Sequence, residues 1–288
     1  MFLTFRLHRW RVLVSSLLAA AAICFVTIGF SQRAAPAEEA PVVCVVMYHG
    51  LVEDTAHQNQ YMIDPQNFEQ DLQYLTANGY HTIVVQDLLD YFDKGTPLPD
   101  KPVMLTFDDG YYNNYVYAYP LLQKYHCRAV LSPIGAEAVK AAQEERKNPN
   151  YSQCDWQELN EMVQSGCIEL QNHTYALHRL DQGRQGAGMK KGEDTQSYRQ
   201  LLQEDLQQFN QVMQEQTGQL PTCFTCPYGE KNEEMLSVIR AMGFRAMLDC
   251  EEKPNVLTSE EDLYHIHRYL RPNEGTAEAF FARMGLSD

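Results

Sequence analysis

The chain has 288 residues, which is enough for one large catalytic domain and a targeting segment. Its composition, 44% hydrophobic and 21% charged, is ordinary for a globular protein, and the absence of a 20–50-residue repeat or heptad run excludes repeat and coiled-coil architectures. The formal net charge of −15 at pH 7 excludes nucleic acid as an expected partner and favours a neutral or amine-bearing one.

The N-terminal segment differs from the rest of the chain. Three arginines precede Val12–Phe30, a run of 19 residues without an acid or a base. That length can just cross a bilayer, and the basic cluster favours a cytoplasmic N-terminus. A cleaved signal peptide, with its site at Ala35–Ala37, is the alternative. We therefore expect a signal or anchor segment at residues 1–31, a linker at 32–40 and an extracytoplasmic catalytic domain at 41–288, either membrane-anchored or secreted.

From residue 41 onward, apolar runs typical of buried strands alternate with helical patterns. Val42–Tyr48 is a near-continuous apolar run, as expected for a strand buried on both faces. Further strands are predicted at Thr82–Val85, Val103–Phe107, Arg128–Pro133, Ile168–Gln171, Phe244–Leu248 and Tyr264–Leu270. Helices are predicted after Asp64-Pro65, at Leu88–Phe92, from Gly110 to Lys124, from Asp155 to Gly166, and at Thr195–Gln216 and Glu233–Met242. The alternation predicts an α/β fold with parallel strands, in a barrel or an open sheet.

Two adjacent carboxylates follow the predicted strand Val103–Phe107. Parallel sheets carry their sites at the carboxyl ends of strands, which is where Asp108 and Asp109 stand. Neighbouring acids repel each other, and a bound cation would relieve the conflict, with one acid as its ligand and the other as a free base. A solvated Asp-Asp-Gly turn is the alternative that these residues alone leave open.

A pair of histidines follows the predicted strand Ile168–Gln171. His173 and His178 are five residues apart, so they cannot share a helix face and could converge only from an irregular turn. Two imidazoles and one carboxylate would make an open metal site of the zinc type. The alternative is one buried and one exposed histidine without a shared role. Beyond them, four glycines among charged residues predict a flexible, solvated surface loop up to Thr195.

The motifs occur together and in a characteristic order. The chain contains TFDDG at residues 106–110, NHTxxxH at 172–178 and PYG at 227–229, after an opening VMYH at 46–49. This combination resembles the polysaccharide deacetylases of the NodB-homology type, carbohydrate esterase family 4, over about residues 41–285. The resemblance implies a distorted (β/α) barrel and a hydrolase that removes N-acetyl groups from an N-acetylglucosamine-containing polysaccharide.

The resemblance also implies roles for individual residues. One divalent metal would be held by three side chains from two strand ends: Asp109, His173 and His178. Zinc is the family default, and cobalt, nickel or iron suit the same ligands. Asp108 would be the general base that activates water, and Tyr228 would bind the substrate with its backbone N–H, beside Pro227. Tyr111, just after the metal motif, is expected to contact a sugar ring.

Three departures separate this chain from the best-known family members. Thr225 stands where they carry an arginine that orients the base. Leu248–Glu252 does not match their D-x-x-D-W segment, and Tyr264–His267 matches poorly the late motif that supplies their acid. With these departures, the chain is more similar to the branch of poly-N-acetylglucosamine deacetylases, in which the acid comes from the early strand. His49 is therefore the expected acid, with a supporting histidine as the alternative.

Other functions remain open from the sequence alone. An O-acetyl esterase could use the same fold and residues on acetyl-xylan. A degenerate domain could bind glycan without hydrolysing it. Two histidines and a carboxylate also occur in non-haem iron oxygenases, although those pair His and Asp at short spacing on an antiparallel fold.

Overall fold

A computed structural model describes residues 40–286, so the predicted signal or anchor segment at residues 1–31 lies outside the described part of the chain. Within residues 40–286, no helix combines the length and the apolar character that a membrane span requires. Short strands alternate with helices along these residues, as the sequence pattern predicts.

The elements are numbered in chain order. The strands are β1 (Val42–Tyr48), β2 (Gly50–Leu51), β3 (Met62–Ile63), β4 (His81–Ile83), β5 (Pro102–Asp109), β6 (Ala129–Pro133), β7 (Ile168–Leu170), β8 (Leu180–Asp181), β9 (Arg184–Gln185), β10 (Cys223–Thr225), β11 (Ala246–Leu248), β12 (Asn255–Val256) and β13 (Tyr269–Leu270). The helices are α1 (Pro65–Ala77), α2 (Val85–Lys94), α3 (Tyr119–Tyr125), α4 (Gly135–Ala141), α5 (Trp156–Gln164), α6 (Thr195–Thr217), α7 (Glu233–Ala241) and α8 (Ala277–Arg283). A π-helical turn at Asn114–Ala118 precedes α3, and 3₁₀ turns occupy Pro227–Gly229 and Glu260–His265.

Capping side chains explain where several helices begin. Asp64 accepts a backbone N–H in the first turn of α1, and Asp155 with Glu158 forms the predicted capping box of α5. Glu169 accepts the first two N–H groups of α2, at 3.2 and 3.0 Å. Because this carboxylate starts α2 at residue 85, the predicted strand Thr82–Val85 ends two residues early.

Parallel strands form a distorted barrel. In the main sheet β1 lies between β13 and β5, and β6 and β7 follow β5; β4 also pairs with β5, and β12 runs antiparallel along β1. β10 and β11 form a separate parallel pair. Single bridges from Asn172 to Phe224 and from Leu248 to Ile266 connect this pair to the two ends of the main sheet. The predicted distorted (β/α) barrel is confirmed.

β1 is central to the barrel because both of its faces are buried. Val43 and Val45 pack with residues of β5, β6, β10 and β11, while Cys44, Val46 and Tyr48 pack with residues of α1, α5 and α8. This two-sided burial is what its near-continuous apolar run predicts. Since the barrel strands are parallel, the carboxyl ends of β1, β5, β7 and β10 meet at one rim.

Candidate active site

β5 continues through both aspartates before the chain turns. The sequence predicted a strand only to Phe107, but pairing with β6 extends as far as Asp109 opposite Pro133. Asp109 has a φ of +69° and Gly110 a φ of +78°. A Cβ on Gly110 would lie 2.6 Å from the Cβ of Pro133, so this turn requires glycine. The turn leaves the carboxylates of Asp108 and Asp109 at the rim.

His173 and His178 meet across a tight turn after β7, with their ring centroids 4.7 Å apart. Asn172 accepts the backbone N–H of Thr174 (2.7 Å), where φ is +71°. Asp205 of α6 accepts the next two N–H groups of the turn, at 2.7 and 2.8 Å. Side-chain acceptors thus hold the irregular backbone that two histidines at this spacing require.

The two imidazoles face the carboxylate of Asp109. Nε2 of His173 and Nε2 of His178 lie 3.5 and 3.4 Å from its Oδ1. This buried oxygen has no hydrogen-bond partner among the described residues. His173 donates from Nδ1 to the carbonyl of Thr225 (2.8 Å), so its neutral ring keeps a lone pair on Nε2. Three donor atoms within 4.8 Å, one of them an unpartnered carboxylate oxygen, fit a divalent cation held by two imidazoles and a carboxylate.

The electrostatics of this ligand set favour positive charge. Burial lowers the pKa of His173, but Asp109 and Asp108 outweigh it and raise that pKa above its ordinary value. Burial likewise raises the pKa of Asp109, but His173 outweighs it and holds that pKa well below its usual range. A buried carboxylate that stays ionised and draws a proton onto a neighbouring imidazole can bind a cation in place of that proton.

Asp108 is bound by an arginine that the sequence patterns missed. Arg268 donates from Nη1 to Oδ1 (2.7 Å) and from Nη2 to Oδ2 (2.9 Å), and from Nε to the carbonyl of Asp249 (2.8 Å). Both paired side chains are buried. Burial raises the pKa of Asp108, but Arg268 outweighs it and lowers that pKa. Asp108 is therefore ionised and fixed in orientation, as a general base must be.

This arginine accounts for the departure at Thr225. The Oγ1 of Thr225 is hydrogen-bonded to the Oγ of Ser132 (2.7 Å). Asp108 is bound instead by Arg268, which immediately precedes β13. A signal was present in the sequence. Arg268 is a cation inside the predicted strand Tyr264–Leu270, and a charge in a buried strand needs a buried partner.

His49 follows β1 and lines the same cavity as the two aspartates. Its carbonyl accepts a hydrogen bond from Asn114 (2.8 Å), and its buried Nδ1 has no hydrogen-bond partner among residues 40–286. Burial, opposed by the charges of Asp108 and Asp109, lowers the pKa of His49. The His49 side chain is thus placed at the cavity, where an imidazole can act as a proton donor.

Of the three predicted substrate-binding residues, Tyr228 and Tyr111 line the cavity and Pro227 does not. Tyr228 has a φ of +59°, its ring stacks on His178 at 4.7 Å, and it is 43% exposed. Tyr111 is half-buried and, like Tyr228, lines the cavity of about 680 Å³ that contains the ligand set. Pro227 is buried and does not line this cavity, so it supports the turn from behind.

Residues 179–194, predicted as a flexible solvated loop, form a hairpin of β8 and β9 that contributes to the cavity wall. Arg184 is buried and ion-paired with Glu193, which does not fit a solvated insertion. Gly186 packs against the turn Pro227–Gly229, where a Cβ would lie 2.8 Å from a ring carbon of Tyr228. The predicted surface position beside the site is confirmed, since Leu180 and Gln185 are exposed and Gln185 lines the cavity, but the expectation of a solvated insertion is wrong for the buried Arg184.

A second cluster of potential ligands has a different character. Asp249, Glu251 and His267 also place their donor atoms within 4.8 Å of one another. However, Lys231 Nζ lies 2.6 Å from Oδ2 of Asp249, and His267 Nδ1 lies 2.9 Å from Oδ1. An ammonium group already supplies the positive charge there, so this cluster is an ion-pair network behind Arg268.

Comparison with known proteins gives the chain its family. A family model described as polysaccharide deacetylase matches residues 95–247. The poly-beta-1,6-N-acetyl-D-glucosamine N-deacetylase of Escherichia coli (strain K12) is 24% identical over 254 residues, which cover 82% of this chain but only 37% of that protein. The protein of the same name from Staphylococcus aureus (strain MSSA476) is 27% identical over 210 residues, covering 73% of this chain and 68% of that one.

A solved structure gives the same result. The de-N-acetylase from Aggregatibacter actinomycetemcomitans superposes with a TM-score of 0.70 at 26% identity, over 82% of this chain and 97% of that chain. Because the family model spans more than half of the sequence and the barrel is shared with this neighbour, the chain belongs to the polysaccharide deacetylase family.

Proposed function

We propose that this protein is a metal-dependent N-deacetylase that hydrolyses the acetamide groups of an N-acetylglucosamine polysaccharide. The observation that carries the proposal is the pairing of an arginine-bound Asp108 with a neighbouring cation-ligand set in one cavity. Membership of the deacetylase family supports acetyl hydrolysis. The names of the E. coli and S. aureus relatives support poly-β-1,6-N-acetylglucosamine as the polymer.

Asp108 acts as the general base in this proposal. Because Arg268 keeps its carboxylate ionised, Asp108 can take a proton from water as the water oxygen attacks the acetamide carbonyl. A divalent cation held by Asp109, His173 and His178 supplies Lewis acidity, which polarises a carbonyl and makes water more acidic. Zinc is the expected ion, and cobalt, nickel and iron suit the same donors.

His49 supplies the second proton transfer. The backbone N–H of Tyr228 donates to the carbonyl oxygen as negative charge develops there. The imidazolium form of His49 then gives a proton to the amine nitrogen as the carbon–nitrogen bond breaks, which yields acetate and a free amine on the sugar; the proton on Asp108 is afterwards lost to solvent and His49 is protonated again. The carboxylate base and the imidazole acid both line the cavity, as this division of roles requires.

The substrate is proposed to lie outside the cytoplasm. The predicted signal or anchor segment at residues 1–31 carries this part of the proposal, with the chain tethered to the membrane or secreted. A net charge of −15 suits a neutral polymer whose product carries amines, and disfavours nucleic acid.

An O-acetyl esterase and an inactive glycan-binding domain are the alternatives. A binding domain has no use for an ionised base beside a cation site, and Asp108 is held in that state. The amine of an amide is a poor leaving group and must be protonated, whereas the alcohol of an ester depends less on a proton donor. The presence of His49 in the cavity therefore favours an amide substrate.

The test measures acetate and free amine released by the full-length, zinc-loaded protein from four substrates: β-1,6-linked and β-1,4-linked N-acetylglucosamine oligomers, peptidoglycan and acetyl-xylan. We expect the wild-type protein to release amine from the β-1,6-linked oligomer, and the Asp108→Asn variant to release it at least about 100-fold more slowly. Acetate from acetyl-xylan alone would establish an O-esterase. Binding of the oligomers without any release would establish a glycan-binding domain.

A further inference from the structure

One wall of the cavity, formed by Tyr61, Met62 and Leu270, has no role in the chemistry proposed above. Tyr61, which precedes β3, is 44% exposed, and its ring lies 4.9 Å from the ring of His49. Met62 and Leu270, both half-buried, line the cavity beside it. Tyr228 instead contacts His178. One exposed tyrosine therefore lies against the proposed acid and another against a cation ligand.

The segment that carries Tyr61 is held in place by side chains. Oδ1 of Asn59 accepts the backbone N–H groups of Tyr61 (2.8 Å) and Met62 (3.2 Å). Gln58 donates to the carbonyl of Val52 (3.0 Å) and accepts from Asn273 (3.0 Å), which ties the loop to the segment after β13. Since these contacts fix the backbone, the exposed ring is presented to the cavity without a loop having to fold around a ligand.

The chemistry of amide hydrolysis indicates which part of the substrate meets this wall. When the carbon–nitrogen bond breaks, the acetyl group stays beside the backbone N–H of Tyr228, on the side of the residues that would hold the cation, and the amine leaves toward the proposed acid. In the proposed substrate that amine is attached to a pyranose ring. The sugar must therefore lie on the side of His49, and Tyr61 is the exposed ring in contact with His49.

We propose that Tyr61 is a specificity-determining residue that stacks on the N-acetylated pyranose whose acetamide is cleaved, with Met62 and Leu270 as the apolar flank of that subsite. The C–H face of a pyranose is a good partner for an aromatic face. This inference rests on the proposed function, because it takes His49 as the proton donor. A purely structural role would bury the ring, whereas nearly half of its surface is open.

The experiment compares Tyr61→Ala, Tyr61→Phe and Tyr91→Ala in the full-length, zinc-loaded protein. Tyr91 is a half-buried tyrosine of α2 and is not among the residues that line the cavity. Each variant is assayed on a β-1,6-linked N-acetylglucosamine oligomer and on a nitrophenyl acetate, which has no sugar. Binding of the oligomer to the same variants in an Asp108→Asn background is measured by calorimetry.

We expect Tyr61→Ala to raise KM for the oligomer roughly tenfold, to weaken its binding by a similar factor and to leave nitrophenyl acetate hydrolysis within about twofold of wild type. Tyr61→Phe and Tyr91→Ala should behave as wild type. Unchanged oligomer KM and binding in Tyr61→Ala would overturn the inference, as would an equal loss on the ester.

The two proposals fail in different ways. If the oligomer binds but is never hydrolysed, the proposed function fails, while weaker binding by Tyr61→Ala still supports the subsite. If the oligomer neither binds nor reacts while nitrophenyl acetate is hydrolysed, the subsite is overturned along with the choice of substrate.

Discussion

Arg268 donates two parallel hydrogen bonds to the carboxylate of Asp108, at 2.7 and 2.9 Å, and both side chains are buried. The guanidinium neutralises one of two adjacent carboxylates, so Asp109 is left to face His173 and His178. Two further donors of the guanidinium are also bound, Nε to the carbonyl of Asp249 (2.8 Å) and Nη1 to Oγ1 of Thr106 (3.2 Å). One arginine thus gives two adjacent acids different surroundings, as the proposed roles of Asp108 as base and Asp109 as cation ligand require.

Replacing Arg268 with methionine is expected to reduce both stability and turnover. Asp108 would be left buried and unpaired, at a cost of about 3–5 kcal/mol in the free energy of unfolding. The double variant Arg268→Met/Asp108→Asn removes both charges, so its melting temperature should recover while its activity stays lost. Thermal melting and amine release measure the two effects. A double variant as unstable as Arg268→Met would mean that the arginine stabilises the fold by packing rather than by pairing with Asp108.

Arg268→Lys separates charge from geometry at the same position. Lysine keeps the positive charge but cannot make two parallel bonds to a carboxylate. We expect a smaller loss of stability than in Arg268→Met, with kcat still well below wild type because the base is no longer held in one orientation. A kcat equal to wild type would show that the charge alone is sufficient.

Asp108→Asn and Asp109→Asn should separate turnover from cation binding. Asp108→Asn removes the base, so turnover is expected to fall by about 10²–10⁴-fold while zinc still binds. Asp109→Asn removes a ligand, so zinc affinity should fall by more than about 100-fold, and activity with it. Calorimetric zinc titration and amine release are the two measurements. Equal zinc affinity in both variants would refute the assignment of the ligand set.

His49→Gln tests the proton donor through the choice of leaving group. An amine leaves only when protonated, whereas a nitrophenolate leaves as an anion. We therefore expect amide hydrolysis to fall by about 10²–10⁴-fold and nitrophenyl acetate hydrolysis to fall by less than about tenfold. Rates on both substrates distinguish the roles. A parallel loss on the two substrates would indicate that His49 supports the site without donating a proton.

The convergence of Asp109, His173 and His178 could be predicted because these residues follow strands that the sequence marks clearly. Asp108 and Asp109 end the apolar run of β5, and the two histidines follow β7. Parallel strands bring such ends to one rim whatever the loops between them do. Local pattern and general topology were sufficient for this part of the site.

Arg268 and Tyr61 could not be placed in the same way. The sequence predicted a strand at Tyr264–Leu270, but only Tyr269–Leu270 is a strand in the structure, and a 3₁₀ turn occupies Glu260–His265, so the predicted period could not show that Arg268 contacts Asp108. Tyr61 owes its position to backbone hydrogen bonds that Oδ1 of Asn59 accepts within a loop. Arg184 in the hairpin of β8 and β9 is buried by its pairing with Glu193. Each depends on a side-chain pairing that residue type alone does not indicate.

Gly186 offers a test of the hairpin wall, because a matched control lies six residues further along the chain. At Gly186 (φ +54°) a Cβ would lie 2.8 Å from atoms of both Pro227 and Tyr228, whereas at Gly192 (φ +76°) it would meet nothing within 4 Å. Alanine at either position incurs the cost of a positive φ, about 1 kcal/mol. Only Gly186→Ala should also displace Tyr228, and we expect kcat/KM for the oligomer to fall about tenfold in that variant alone. Equal kcat/KM values in the two variants, measured beside equal melting temperatures, would mean that the hairpin does not position Tyr228.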